Sequence, residues 1–136
     1  MPAIPANING VQVELGPQAN NDVSASLIVG LQHCIRPNIA PPHYLLKIYI
    51  SSAADQHVMP SRHAQHKAVD ISRINNIKIA IGYPGEAATV AIVNAIQNVF
   101  ETYSGRRENF GPHLKRKLGL NFSVPGHHDH IHLSVN

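Results

Sequence analysis

Hydrophobic and polar positions alternate in several short stretches of this chain and recur at a helical step in two longer ones. Val11-Gln12-Val13-Glu14-Leu15 alternates and predicts a strand. It lies inside an otherwise irregular, Pro-, Asn- and Gly-rich opening over residues 1–20, which reads as an edge strand or arm. A helix is expected from Asn21 or Asp22, both good N-caps, because Val23, Leu27, Leu31 and Ile35 recur along one face; Pro37 and the Pro41-Pro42 pair end it. Tyr44 to Ile50 is aliphatic and aromatic and predicts a buried strand. Ala68 to Ser72 alternates, placing Ala68, Asp70 and Ser72 on one face and Val69 and Ile71 on the other. Ile77 to Ile81 is a further strand candidate, closed by Gly82 and Pro84. A second helix runs from about Gly85 to Tyr103, with Ile92, Val93, Ile96, Val99, Phe100 and Tyr103 as its apolar stripe. Residues 104–128 read mostly as loop, with a candidate short helix over His113 to Leu118. A final strand, His130 to Val135, turns His130, His132 and Ser134 to one side and Ile131, Leu133 and Val135 to the other.

Strands and helices without regular alternation predict an α+β domain: an antiparallel sheet with helices packed on one face and a polar face left open. With 136 residues, of which 43% are hydrophobic and 14% charged, one globular domain spanning 1–136 is expected. No run approaches the roughly 20 apolar residues of a membrane span. The opening residues carry neither a basic leader nor an apolar stretch, so no secretory signal is expected. The lone Cys34, set among apolar positions of the first helix, excludes an internal disulfide and a multi-thiolate zinc site and reads as a packing residue.

Histidine changes the picture. Of ten, His127, His128, His130 and His132 fall within one short segment at the final strand. Two strand regions thereby present metal-competent groups, His63 and Asp70 from one, His130 and His132 from the other, and imidazole with carboxylate suits Zn²⁺. The H-E-x-x-H, G-x-S-x-G and P-loop motifs are all missing, and His33, His43 and His57 read as ordinary core or surface residues. Arg106, Arg107, Lys115, Arg116 and Lys117 concentrate much of the positive charge, and the net charge of +3 with little aromatic interleaving argues against nucleic acid as partner.

The segment Ser61-Arg62-His63-Ala64-Gln65-His66-Lys67-Ala68-Val69-Asp70-Ile71 resembles the S-x-H-x-x-G-x-A-x-D signature of the M15 zinc peptidases, the D-Ala-D-Ala carboxypeptidase and phage endolysin group related in fold to the Hedgehog domain. Asp129-His130-Ile131-His132-Leu133-Ser134-Val135 is similar to that family's closing H-x-H strand. The resemblance implies a Hedgehog/DD-peptidase-like fold, Zn²⁺ held by His63, Asp70 and His132, and Ser61 in substrate binding. It implies a general base at Asp129, or at His130 if the strand is already regular at Asp129 and turns that side chain away. The family's Gly is His66 here, a substitution that either strains a turn or adds a polar group at the site rim. The family's arginine has no counterpart between Ile50 and Asp55, and Arg62 or Arg107 is the expected substitute. The implied activity is zinc-dependent hydrolysis of a peptide bond in bacterial peptidoglycan, acting on a stem or cross-link peptide, with an anionic wall polymer as a candidate partner of the Arg106–Lys117 segment. The alternative is a non-catalytic, zinc-stabilised binding module. A wall-cleaving enzyme made in the cytoplasm without a signal would reach its substrate through phage lysis or specialised secretion.

Overall fold

A computed structural model describes residues 2–53, 62 and 65–136. In chain order its elements are β1 (Asn7–Ile8), β2 (Val11–Leu15), α1 (Ala25–Cys34), β3 (Lys47–Ser52), β4 (Ala68–Ile74), β5 (Ile77–Lys78), α2 (Ile79–Gly82), α3 (Ala87–Phe100), β6 (Arg106–Phe110), β7 (Lys115–Lys117), β8 (Leu120–Asn121) and β9 (Ile131–Val135). The strands form one mixed sheet in the order β1-β2-β3-β4-β9-β6-β7-β8, with β5 paired to β4. This agrees with α+β. Antiparallel pairing holds throughout except between β2 and β3, which run parallel. A parallel pair needs a long crossover, and residues 16–46, which carry α1, supply it.

One face of the sheet is the core. Val11 and Val13, Ile48 and Ile50, Val69 and Ile71, and Ile131, Leu133 and Val135 all point into it, alternating with polar neighbours as the strand period requires. Leu27 and Leu31 from α1 and Ile92, Val93, Ile96 and Phe100 from α3 fill the other side of the same cluster, which also takes in Ile4 and Ile8. The opening segment, expected as an edge strand or arm, is therefore fixed by buried side chains, and β1 rather than β2 forms the sheet edge. Gly30 lets α1 approach α3, since a Cβ there would lie 3.0 Å from the Tyr103 ring. Ser24 caps α1 by accepting from the Leu27 amide, and the Glu86 carboxylate caps α3 by accepting from the Ala88 and Thr89 amides. Among the described residues no helix is long and apolar enough to cross a membrane.

Three expectations are corrected. Ile77 to Ile81 is a strand only over Ile77–Lys78: pairing with β4 stops there, and Ile79 turns into the short helix α2 with its side chain buried. An apolar run of five residues fits either state, and packing against β4 and α3 selects the helix. His113 to Leu118 is not helical: the segment 104–128, though mostly outside regular elements as expected, supplies the short strands β6, β7 and β8. Its inward side is held by polar bonds rather than apolar alternation. The buried Gln97 amide donates to Asn109 Oδ1 at 2.9 Å and to the Leu114 carbonyl at 3.0 Å, and its Oε1 accepts from the His113 and Leu114 amides at 3.0 Å each. Finally, the sheet is not purely antiparallel, for the reason given above.

Candidate functional site

The face of the sheet opposite the core carries a polar cluster where β4, β9 and β6 lie side by side. Asp70 pairs in register with His132, and His132 pairs on its other side with Phe110. Asp70 projects away from the core while its neighbours Val69 and Ile71 are buried, as the alternation predicts. The β6–β9 register shifts between Arg106 and Asn109, so Asn109 faces α3 and Glu108 reaches the polar side.

His132 sits between two carboxylates. Its Nδ1 lies 2.9 Å from Asp70 Oδ1 and its Nε2 3.0 Å from Glu108 Oε1, and Ser134 donates to Glu108 Oε1 at 2.8 Å. Burial opposes a charge on the imidazole, but the hydrogen bonds to Asp70 and Glu108 outweigh it and push its pKa up to about 9. Burial likewise opposes the Glu108 carboxylate, yet the bonds from His132 and Ser134 hold it down at about 2. The His132 shift is shared between Asp70 and Glu108, with Asp70 the larger contributor, whereas the Glu108 shift comes from His132 and Ser134. A raised histidine pKa stabilises below its unfolded value near 6.5 and loses that contribution as pH rises through 9; a lowered glutamate pKa stabilises above 4.5 and loses it as pH falls towards 2. Chelator-treated protein is therefore expected to be most resistant to urea between about pH 4.5 and 6.5. In Glu108→Gln the alkaline loss should begin at lower pH, because His132 then has one anionic partner instead of two. Urea midpoints measured across pH check both expectations.

His130 stands beside this pair. Asp129 Oδ1 lies 2.7 Å from His130 Nδ1, and His130 Nε2 lies 4.0 Å from Asp70 Oδ1. The regular strand begins one residue later, at Ile131. Asp129 therefore meets the ring of His130 and lines a cleft next to it, while the far nitrogen of His130 faces Asp70. An aromatic wall closes the other side: the Phe110 ring stacks on His132 at 5.6 Å and on Phe122 at 5.7 Å, and His127 packs edge-on at 5.2 Å from Phe110. Burial, then the neighbouring His130 and His132, lower the pKa of His127.

Asp70, His132, His130 and Asp129 thus come together as the motif spacing suggests. Ser61 and His63 lie outside the described residues. Arg62 donates to Gln65 Oε1 at 2.6 Å, and Arg107 lies on β6 with its Nε buried and unpartnered among the described residues. Cys34 is buried, and burial pushes its thiol pKa up to about 12, in keeping with a packing role. Sequence reasoning missed Glu108, Phe110 and Phe122, all within the segment read as loop. The only available signal for Ser134 was its place on the His130 and His132 face.

The Gly-to-His66 departure has a clear structural outcome. His66 adopts φ 61, in the left-handed region, and its Nδ1 lies 2.6 Å from the Asp22 carbonyl oxygen. The imidazole is tied to the segment ahead of α1, whose Ser24 amide also donates to the His66 carbonyl at 2.8 Å. His66→Ala keeps the backbone strain and loses the ring contact, so it should be less stable than His66→Gly by about 1 kcal/mol in urea titrations.

Among the described residues no group of three or more His, Cys, Asp or Glu is arranged to hold a metal ion. Two donors do converge: ligand atoms on one tetrahedral zinc, each at about 2.0–2.2 Å, stand roughly 3.3 Å apart, close to the 2.9 Å between Asp70 Oδ1 and His132 Nδ1. Glu108 accepting from the remaining nitrogen is the outer partner that metal-bound histidines ordinarily have. Two donors are fewer than the three protein ligands of a catalytic zinc, and among the described residues no third joins them. Compared with known proteins, the chain matches no family model, no curated protein and no solved structure at a significant level.

Proposed function

We propose that the protein is a zinc-dependent hydrolase of a peptide bond in bacterial peptidoglycan, with a Hedgehog/DD-peptidase-like arrangement of its site. The observation that carries the reading is the facing of Asp70 Oδ1 and His132 Nδ1 across paired strands, at the two positions where the motif resemblance expects ligands. His63, the third residue of that motif, would complete the set. Bound zinc supplies a Lewis acid that polarises a scissile carbonyl and lowers the pKa of water towards 7.

The remaining work falls to the chain's own groups. Glu108 and Ser134 fix the ring of His132 through Nε2, leaving Nδ1 aimed at Asp70. Asp129 holds a proton on His130 Nδ1, which leaves Nε2 of the same ring as an acceptor on the Asp70 side. In that position His130 Nε2 takes a proton from the attacking water and returns it to the leaving amine, with Asp129 as the group that orients it. This assigns the base role to His130 rather than Asp129. The Phe110 and Phe122 rings keep water from one side of the site.

Purified cell walls incubated with the zinc-loaded protein should release new free amines, and His132→Ala should release none. Zinc retained without release of amines would overturn the hydrolase and favour the non-catalytic zinc module.

A further inference from the structure

β4 carries a second irregularity beside the site. Tyr49 pairs with Arg73, but the next residue, Ile50, pairs with Ile71, so Ser72 is the extra residue of a bulge. The bulge breaks the alternation: Ser72 and Arg73 both leave the core, and Ile74 returns to it. Two consecutive polar side chains are thereby aimed at the open face, immediately after Asp70. They line a cleft of about 390 Å³ together with Tyr49 and Ser51 of β3, Lys78 of β5 and Asp129.

The charges in this cleft are unbalanced. The Arg73 guanidinium lies 4.4 Å above the Tyr49 ring, which holds it in place through its face and leaves its N–H groups to other partners. Among the described residues no carboxylate lies within ion-pair distance of Arg73 or Lys78. The acids nearby take their close partners elsewhere: Glu14 pairs with Lys47 at 2.6 Å and feels Arg73 only at longer range, Asp129 pairs with His130 and Asp70 with His132. Two cations and the hydroxyls of Ser51 and Ser72 thus surround a concave space that reaches the Asp129–His130 pair, where a planar anion can take a forked hydrogen bond from arginine.

We propose that this cleft is a carboxylate-binding subsite, in which Arg73 and Lys78 hold a free carboxylate of the peptide whose neighbouring bond is cut. The inference rests on the hydrolase reading for the word "substrate", but the subsite itself is tested by binding. Peptidoglycan stem peptides carry such carboxylates at their ends and branch points, and a group held here places the adjoining peptide bond towards His130.

The probes are N-acetyl-D-alanyl-D-alanine and its C-terminal amide, titrated into zinc-loaded protein by NMR. The acid should bind about tenfold or more tightly than the amide, shifting the resonances of Ser72, Arg73 and Lys78. Arg73→Ala should reduce that preference to within about twofold, Arg73→Lys should keep part of it, and zinc content should not change. Equal binding of acid and amide, binding of neither, or an unaltered preference in Arg73→Ala would overturn the subsite. A preference for the acid in a protein that releases no amines from cell walls would leave the subsite standing and remove the hydrolase.

Discussion

His132→Ala is expected to lose bound zinc and, with it, all release of amines from cell walls. Apparent zinc affinities of about 10–16 kcal/mol, shared among three or four ligands, put one ligand at roughly a hundred- to ten-thousandfold in affinity. A second effect follows from where His132 lies. Its ring separates Asp70 from Glu108, and removing it leaves two carboxylates facing one another across β9 without the cation between them. Breaking a buried pair in this way costs about 3–5 kcal/mol. The variant should therefore also unfold at lower urea near neutral pH. Asp70→Asn separates the two effects, because it keeps a hydrogen-bonding partner for Nδ1 while weakening the metal donor. It should lose zinc with a smaller loss of stability. Zinc content after dialysis, measured beside urea midpoints for both variants, checks the expectation; full zinc in His132→Ala would remove His132 from the metal site.

The second large effect is kinetic. His130→Ala should retain zinc and lower the rate of peptide hydrolysis by roughly 10²–10⁴, the usual contribution of a positioned acid–base group. Asp129→Asn should cost less, about tenfold, because the asparagine can still meet His130 Nδ1 but no longer favours the protonated ring. Rates at saturating substrate for both variants decide the assignment. The reverse order, with Asp129→Asn the more damaging, would return the base role to the aspartate.

Much of the scaffold was legible because apolar period and burial coincide. In α3 the residues Ile92, Val93, Ile96 and Phe100 follow the helical step and are buried, and Val99 and Tyr103 pack against the same core. In β4 from Val69 to Ser72 and in β9 the polar and apolar faces alternate as written in the sequence, so the meeting of Asp70 with His132 was foreseeable from their faces, though not from their register. The segment 104–128 was opaque for a physical reason. Its strands meet α3 through Gln97 and Asn109, a polar contact that leaves no apolar alternation to read. Glu108 was hidden with it, since its role depends on β6 lying beside β9 and on a bulge that turns it towards His132. Arg73 was hidden in the same way, because alternation carried past Ser72 would have sent it into the core.

The position of β9 also bears on how the protein can be made. It is the last of the described strands in sequence, yet it lies in the middle of the sheet, between β4 and β6. Until it inserts, β1 to β5 and β6 to β8 share no strand pairing, and Asp70 and Glu108 lack the side chain that joins them. Every strand contact of β9 is between residues far apart in the chain, the kind of pairing whose loop-closure cost slows folding. A chain cut before β9 therefore holds Asp70 and Glu108 without the side chain that joins them.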